Sequence, residues 1–215
     1  NCAVILAAGD GKRMKSDKPK VLCEVLFTPM LDWVVTACEK AGLCNLCVVT
    51  GNGAEQVEAF LDGDYATVRQ EERRGTGHAV MMASDFLNRH RGWNVLVLSG
   101  DAPFMSDEFI GAPFMDEETI REALKTHVEQ DNAVTVVTAC LPDPTGYGRI
   151  LRDGDAVTGI VEQKDATEEQ RAIREVNSGA YWFKVDDLLS VLHKLTCGNA
   201  QGEYYLTDTV SLLIG

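Results

Sequence analysis

The chain has 215 residues, of which 45% are hydrophobic and 25% charged, enough to bury a core of ordinary size in one domain. Its formal net charge of −13 argues against general binding of nucleic acid or anionic membranes, since both need a broad basic surface. The longest apolar runs, such as Ala133–Cys140, fall far short of the roughly 18 to 20 residues of a membrane span. The start of the chain lacks the basic segment and cleavage site of a secretory signal. We therefore expect a soluble cytoplasmic protein that crosses no membrane.

The cysteines support the same compartment. The seven of them are an odd number, and most lie in apolar stretches, as buried free thiols do in reducing surroundings. Cys44 and Cys47 form a C-x-x-C, but no second cysteine or histidine pair at zinc spacing accompanies them. Metal or redox chemistry at this pair is therefore disfavoured.

The predicted elements of the first part of the chain alternate between strands and helices. Cys2–Ala7 is typical of a short buried strand, and apolar residues at helical spacing predict a helix over Met30–Ala41. The further elements are strands at Leu46–Thr50, Ala66–Arg69 and Val95–Leu98 and helices at Ala54–Leu61 and Gly77–Asn88. This alternation predicts an α/β fold of Rossmann-like type, with a mostly parallel sheet flanked by helices. In such sheets ligands bind beyond the carboxyl ends of the strands.

The second part of the chain has a different pattern. Arg149–Leu151 and Val157–Val161 predict a hairpin, and Ala180–Phe183 predicts a further strand. We expect a small antiparallel β subdomain that covers a ligand held on the parallel sheet. No linker separates the parts, so residues 1–215 are predicted to form a single domain with halves at 1–140 and 141–215.

The loop after the first strand carries the clearest chemistry. Its glycines, Gly9 and Gly11, allow backbone N–H groups to approach phosphate oxygens. Five of the 20 Lys and Arg residues fall within nine positions, namely Lys12, Arg13, Lys15, Lys18 and Lys20. A solvated basic run is the simpler alternative, but a triphosphate would relieve the mutual repulsion of these charges.

Two other phosphate-binding motifs do not fit this loop. Met14 stands where the dinucleotide fingerprint G-x-G-x-x-G has its third glycine, and the P-loop pattern G-x-x-x-x-G-K-[ST] is absent.

A short repeated sequence has no evident role. The four residues Ala-Pro-Phe-Met occur at 102–105 and again at 112–115. Four residues are too few for a repeat architecture, so 106–115 is interpreted as a loop insertion.

Several motifs together resemble one family. The segment Leu6-Ala7-Ala8-Gly9-Asp10-Gly11-Lys12-Arg13-Met14, followed by Pro19-Lys20-Val21-Leu22, is similar to the signature L-x-A-G-x-G-x-R-M…P-K-x-L of the sugar-phosphate nucleotidyltransferases. Further matches follow in the same order: Gln70, Gly75–Ala79, Gly100-Asp101, Asp143–Ile150, Ile160–Thr167, Asn177–Gly179 and Gln201–Asp208. Within the family they resemble the uridyltransferase domain of the bifunctional N-acetylglucosamine-1-phosphate uridyltransferase and glucosamine-1-phosphate acetyltransferase. The resemblance covers nearly the whole chain.

The resemblance implies a fold and an activity. The fold would be of the nucleotide-diphospho-sugar transferase type, with 1–140 binding the nucleotide and 141–215 the sugar. The activity would be the Mg2+-dependent transfer of UMP from UTP to N-acetylglucosamine 1-phosphate, giving UDP-N-acetylglucosamine and pyrophosphate for cell-wall precursors. No nucleic acid or membrane partner is implied, and trimer formation in the family belongs mainly to the acetyltransferase domain.

The resemblance also implies site residues. Arg13 and Lys20 would be catalytic, stabilising the phosphates, and Asp101 would hold Mg2+. The matching substrate-binding positions are Leu6, Ala7, Ala8, Gly9, Gly11, Gln70, Gly75, Thr76, Gly100, Gly148, Glu162, Asn177, Tyr205 and Thr207. His78 is expected to be structural.

These positions also have simpler interpretations. Asp101 could be a turn residue after a strand, Gly75–Ala79 a plain helix N-terminus, and Tyr205 a core aromatic. Gly148, Glu162 and Asn177 individually could be turn residues beside a hairpin, but together and in order they favour a sugar site.

The chain departs from the family pattern at its end. The family has a second metal ligand, an asparagine, downstream of the segment matching Tyr205–Asp208, and the 215 residues do not reach it. The hexapeptide repeats of an acetyltransferase β-helix are also absent, so we expect no acetyl transfer. Two alternatives to the uridyltransferase remain: a relative that uses another base or sugar, and a non-catalytic UDP-sugar binding module.

Overall fold

A computed structural model of the protein describes residues 1–9, 18–101 and 116–214. Gly11, Arg13 and the predicted insertion at 106–115 lie outside these described residues. None of the helices in the described part combines the length and apolar character needed to cross a bilayer.

The strands and helices follow the chain as predicted for most of the first half. Among the described residues the strands are β1 (Cys2–Ala7), β2 (Glu24–Val25), β3 (Thr28–Pro29), β4 (Asn45–Thr50), β5 (Ala66–Arg69), β6 (Asn94–Ser99), β7 (Val134–Cys140), β8 (Arg149–Asp153), β9 (Ala156–Val161) and β10 (Glu175–Lys184). The helices of the same ranges are α1 (Met30–Lys40), α2 (Ala54–Leu61), α3 (Thr76–Met82), α4 (Ser84–Arg89), α5 (Glu117–Glu129), α6 (Glu168–Arg171), α7 (Val185–Leu192) and α8 (Asp208–Ile214). A short 3-10 helix spans Lys20–Leu22.

One mixed sheet contains eight of the strands in the described ranges. Its order is β5-β4-β1-β6-β10-β8-β9, and β7 also pairs with β10. The pairs β5–β4, β4–β1 and β1–β6 are parallel, while β10 runs antiparallel to β6, β7 and β8. The predicted α/β class, with a parallel sheet and flanking helices, is confirmed. The antiparallel strands continue this sheet through β10 and do not form a sheet of their own, since β10 is long enough to pair on both sides.

Both faces of the sheet are buried, as the apolar runs predicted. Alternate residues of β1 belong to two different core clusters, with Val4 on one side and Ala3 and Ile5 on the other. The long strand β10 does the same, because Phe183 packs into the first cluster and Trp182 into the second. Burial on two faces explains why β1 is apolar throughout and why β10 is apolar over Ala180–Phe183.

The predicted helix at Gly77–Asn88 is two helices. It breaks at Ala83, where the hydroxyl of Ser84 donates to the carbonyl oxygen of Met81 at 2.5 Å. A serine hydroxyl that bonds to a nearby carbonyl competes with the helical backbone and so interrupts the regular pattern. The sequence did not predict β2, β3, β7, α5, α6, α7 and α8.

Candidate functional site

The carboxyl ends of the parallel strands bring two predicted segments together. Leu6 pairs with Ser99 across β1 and β6, and the N–H of Gly100 donates to the carbonyl oxygen of Leu6 at 2.9 Å. Ala8 lies against the residue that follows β4, since a Cβ on Gly51 would be 2.8 Å from the carbonyl oxygen of Ala8. Leu6 therefore lies beside Gly100, and Ala8 beside Gly51, at the carboxyl ends of the parallel strands.

Asp101 is held by two donors from different parts of the chain. The ammonium Nζ of Lys20 lies 2.5 Å from Oδ2, and the hydroxyl of Ser99 donates to Oδ1 at 2.5 Å. Burial alone would raise the pKa of Asp101, but the hydrogen bonds from Lys20 and Ser99 outweigh it and bring the pKa below its usual range. The carboxylate is therefore ionised at neutral pH and already interacts with a cation.

The surroundings of Asp101 fit a magnesium ion. In residues 1–9, 18–101 and 116–214 no group of three or more acidic, histidine or cysteine side chains could hold a metal together. Mg2+ commonly uses one or two carboxylates and takes its remaining oxygen ligands from substrate phosphates and water. A single charged carboxylate at the strand ends, in contact with Lys20, meets that requirement.

Gln70 and Gly75 lie together on one side of this centre. Gln70 follows β5 and is only 5% exposed, and its Nε2 lies 3.0 Å from the carbonyl oxygen of Gly75 and 3.0 Å from Nδ1 of His78. Gly75 has a φ of +100°, and a Cβ there would be 2.5 Å from the carbonyl oxygen of Tyr204. Only glycine combines this backbone conformation with so close an approach. A cavity of about 240 Å³ adjoins Gln70.

Gly148, Glu162 and Asn177 lie together in the second half. The N–H of Asn177 donates to the carbonyl oxygen of Gly148 at 2.9 Å, and a Cβ on Gly148 would be 3.5 Å from both carboxylate oxygens of Glu162. Asn177 accepts from the N–H of Gly179 through Oδ1 at 3.0 Å and donates through Nδ2 to the hydroxyl of Tyr181 at 2.5 Å. The three predicted sugar contacts thus form one cluster with a fixed amide.

Glu162 is in an acidic, half-buried environment. Desolvation raises its pKa, the hydrogen bond from the hydroxyl of Thr207 at 3.1 Å works against this, and nearby Asp208 and Asp165 raise the pKa further. A carboxylate in this position gains from any neutral hydroxyl that donates to it, because such a donor stabilises its charge. Sugar hydroxyls are donors of that kind.

A single segment links the two sides of the site. The N–H of Leu206 donates to the hydroxyl of Thr76 at 3.0 Å, and the N–H of Gly77 donates to the carbonyl oxygen of Tyr204 at 2.8 Å. The next residue, Thr207, is the one that bonds to Glu162. Within the segment Glu203–Thr207, Tyr204 and Leu206 therefore contact the start of α3, and Thr207 contacts Glu162.

Tyr205 lies differently from its neighbours. Its ring is 6% exposed and its hydroxyl donates to Asp165 Oδ2 at 3.2 Å. It lines a cavity of about 250 Å³ that also contacts Glu162 and Asp208. Its role as a substrate contact remains a prediction, and so do the roles of Gly11 and Arg13, which lie outside the described residues.

Arg149 is a buried residue beside the predicted sugar contacts that sequence reasoning missed. It is 1% exposed, and its guanidinium bonds to the carbonyl oxygen of Tyr147, to Gln163 Oε1 at 2.7 Å and to the carbonyl oxygen of Arg171 at 3.3 Å. The same Gln163 oxygen accepts from the N–H of Gly146 at 3.2 Å. Arg149 therefore holds the turn that leads to Gly148. The available signal was a charged residue at the start of an apolar hairpin strand.

Ser99 was also missed, because a hydroxyl at the end of an apolar strand carries no distinctive pattern. His78 was interpreted as structural, and the structure places its ring against the amide of Gln70.

The two thiols of the C-x-x-C lie in different environments. Cys44 is exposed whereas Cys47 is fully buried in β4, and burial raises the pKa of Cys47 to about 11. All seven cysteines are free. The C-x-x-C therefore presents no pair of accessible thiols.

Comparisons with known proteins identify the family. The sequence matches the nucleotidyl transferase family over residues 2–214. The bifunctional protein GlmU of Acetivibrio thermocellus is 45% identical over 213 residues, which are 99% of this chain and 44% of that protein. The corresponding protein of Fervidobacterium nodosum is 48% identical over 209 residues, which are 97% of this chain and 43% of that protein. The chain thus spans less than half the length of these curated relatives.

A solved structure adds support for the fold. The UDP-glucose pyrophosphorylase complexed with UDP-glucose superposes with a TM-score of 0.79 at 17% identity, covering 98% of this chain and 85% of that one. At so low an identity the likeness concerns the fold alone.

Proposed function

The chain belongs to the nucleotidyl transferase family, and from this premise we propose that it transfers UMP from UTP to N-acetylglucosamine 1-phosphate, releasing pyrophosphate. The product would be UDP-N-acetylglucosamine, a precursor for peptidoglycan in the bacterial cell wall. The observation that carries the proposal is the central pair of Lys20 and Asp101, which has Gln70 and Gly75 on one side and the cluster around Glu162 on the other. The identity of about 45% to the GlmU proteins over the whole chain supports the choice of substrates.

The reaction needs charge stabilisation more than proton transfer. A phosphate oxygen of the sugar phosphate forms a bond to the α-phosphorus of UTP, and the bond from that phosphorus to the oxygen bridging to the β-phosphate breaks. Pyrophosphate leaves with the electron pair. Since a phosphate monoester is already a competent nucleophile, no side chain has to act as a general base. Lys20 and Arg13 would neutralise the phosphates and hold them in line.

Asp101 is the residue that would hold Mg2+. The bound ion would neutralise charge on the phosphate oxygens. Ser99 orients the carboxylate for this purpose through its hydrogen bond to Oδ1. Lys20 contacts Oδ2 of the same carboxylate and would supply its positive charge to the phosphates.

The two sides of the site would give specificity. The backbone at Leu6, Ala7, Ala8, Gly9, Gly11 and Gly100 would approach the nucleotide phosphates and ribose, and Gln70, Gly75 and Thr76 would contact uracil. On the other side Glu162 would accept hydrogen bonds from sugar hydroxyls, Asn177 would bind the N-acetyl group, and Gly148 would leave room for the ring. Thr207 and Tyr205 would complete this wall.

The two halves are proposed to work as one domain in the cytoplasm. Strands from 1–140 and 141–215 share the central sheet, which supports a single unit. The free state of all seven cysteines fits a reducing compartment.

A substrate panel tests the proposal. Pyrophosphate release is measured with UTP, CTP, ATP and dTTP, each combined with N-acetylglucosamine, glucosamine or glucose 1-phosphate, with and without Mg2+. UTP with N-acetylglucosamine 1-phosphate should give the highest kcat/KM, only with Mg2+. Asp101→Asn should lose activity, while the matched control Asp85→Asn, at an exposed position of α4, should keep it.

Two other outcomes would replace the proposal. A different preferred pair would indicate a relative with another base or sugar. Binding of UDP-N-acetylglucosamine in calorimetry, without pyrophosphate release from any pair, would indicate a binding module.

A further inference from the structure

His78 contacts a residue of the proposed base site and has no assigned role. Its Nδ1 lies 3.0 Å from Nε2 of Gln70, which also lies 3.0 Å from the carbonyl oxygen of Gly75. Gln70 is 5% exposed, so its amide has few alternative partners. The way in which this amide is turned therefore depends on Gly75 and His78.

The chemistry of Gly75 fixes the orientation of the Gln70 amide. A carbonyl oxygen can only accept, so the amide atom that faces it must be the NH2 group. The opposite orientation would bring two acceptor oxygens to 3.0 Å, which is unfavourable in a buried place. The atom of Gln70 that faces Gly75 is therefore Nε2, because the backbone carbonyl oxygen can only accept a hydrogen bond.

The same argument fixes the protonation of His78. The second hydrogen of the Gln70 NH2 group points to Nδ1, which must then accept and carry no proton. In the neutral ring the proton is therefore on Nε2. With both hydrogens of Gln70 used, its Oε1 accepts no hydrogen bond from the described part of the chain and is left for a ligand.

The ring of His78 is itself held in place. It stacks on Tyr204 with ring centroids 6.2 Å apart and an angle of 30° between the planes. The guanidinium of Arg74 lies over the ring of Tyr204, 5.0 Å from the ring centroid, and donates to the Tyr204 hydroxyl at 3.3 Å. The backbone of Tyr204 is fixed as well, because its N–H donates to the carbonyl oxygen of Arg74 at 2.7 Å. The histidine therefore has little freedom to turn its Nδ1 away from Gln70.

We propose that His78 is a positioning residue for base recognition, which keeps Oε1 of Gln70 directed at the nucleotide as a hydrogen-bond acceptor. This inference rests on the proposed function. An acceptor held in this way selects a base with a ring N–H, which uracil has at N3 and cytosine lacks. Cytosine would meet Oε1 with the lone pair of its own N3. His78 thus supports the preference for UTP over CTP without touching the nucleotide.

Three substitutions separate positioning from packing. His78→Leu keeps an apolar side chain against Tyr204 and removes the acceptor. His78→Asn can place its Oδ1 where Nδ1 stands and restores the acceptor. His193→Asn, at an exposed position beyond α7, is the matched control.

The expected results concern KM and base preference. His78→Leu should raise KM for UTP about tenfold, as the loss of one partner of a buried hydrogen bond implies, with kcat changed less than threefold. Its preference for UTP over CTP should shrink by a similar factor. His78→Asn should recover most of both, and His193→Asn should equal the wild type. Circular dichroism melting confirms that each variant is folded.

A measurement on the free protein makes the test independent of turnover. Long-range 1H–15N correlation of the imidazole should give the Nε2–H form for His78, and the Nδ1–H form would overturn the proposal. Unchanged KM and base preference in His78→Leu, or failure of His78→Asn to rescue them in a folded protein, would overturn it as well. If the wild type releases no pyrophosphate, the proposed function fails. The tautomer, together with UTP and CTP affinities of the variants from calorimetry, then still decides the role of His78.

Discussion

The backbone N–H of Leu206 donates to the hydroxyl of Thr76 at 3.0 Å, although the two residues are 130 positions apart. Thr76 is the first residue of α3 and one of the proposed base contacts, and Leu206 precedes the threonine that bonds to Glu162. This hydrogen bond therefore ties the proposed nucleotide side of the site to the proposed sugar side.

Removing the Thr76 hydroxyl should weaken both sides at once. Thr76→Val leaves the N–H of Leu206 without an acceptor, which costs about 1–3 kcal/mol in a partly buried place. KM should rise for both substrates, whereas Thr76→Ser should behave as the wild type. Steady-state kinetics in each substrate measures this. A change confined to the KM of UTP would show that the segment does not link the two sides.

Lys20 should be needed for the chemical step. Replacing it by Met removes the charge that would stabilise the phosphates and should lower kcat about 100-fold or more, the usual effect of losing one transition-state donor. The exposed Lys125→Met serves as the control for charge removal. Single-turnover kinetics with UTP distinguishes this effect from slow product release. A kcat within threefold of the wild type would remove Lys20 from the mechanism.

Arg13→Ala should lower kcat/KM strongly with little change in the melting temperature. The reason is that its predicted role is to neutralise phosphate charge, so that it stabilises the transition state and not the fold. Kinetics and thermal melting of the same preparation measure both quantities. Near-wild-type turnover would contradict the assignment.

His127 should make the fold sensitive to mild acid. It is 1% exposed, and burial, aided by the nearby Lys184, lowers its pKa to about 4. Between about pH 6.5 and pH 4 the unfolded chain binds a proton here and the folded chain does not. The free energy of unfolding should therefore fall as the pH drops through this window, by about 3 kcal/mol in total.

Urea unfolding at pH 7.5, 6.5 and 5.5 measures this contribution. His127→Gln keeps a hydrogen-bonding group near the hydroxyl of Thr135 and cannot be protonated, so its stability should depend less on pH than that of the wild type. The exposed His193→Gln should keep the full slope. Equal slopes in the wild type and His127→Gln would mean that other groups cause the acid sensitivity.

The fold could be predicted where the side chains repeat a simple pattern. Strands buried on both faces, such as Cys2–Ala7, are apolar throughout, and α2 and β5 begin and end where the sequence predicts. Helix α5 shows no repeating apolar pattern of this kind, because its buried residues are one isoleucine, Ile120, and one histidine, His127. The break at Ala83 depends on one serine hydroxyl, which periodicity does not register.

The site could be predicted only in parts. The motifs contain Lys20 and Asp101, but their contact across 81 positions exists because β1 and β6 are neighbours in the sheet. Pairing of strands is a property of the whole fold and cannot be derived from local spacing. The sequence also did not indicate that His78 faces Gln70. The segment between β5 and α3 is held by a backbone hydrogen bond from Tyr204, which is distant in the sequence.

Strand β10 carries Asn177 near one end and Trp182 and Phe183, both fully buried, near the other. A bulge between Asn177 and Tyr181 separates them, and the hydroxyl of Tyr181 returns to the asparagine amide. The amide of Asn177 is thereby linked through Tyr181 to the strand segment that carries these buried aromatic side chains. We therefore expect the proposed sugar-facing wall to be stiff, so that a bulkier sugar collides with it and is rejected.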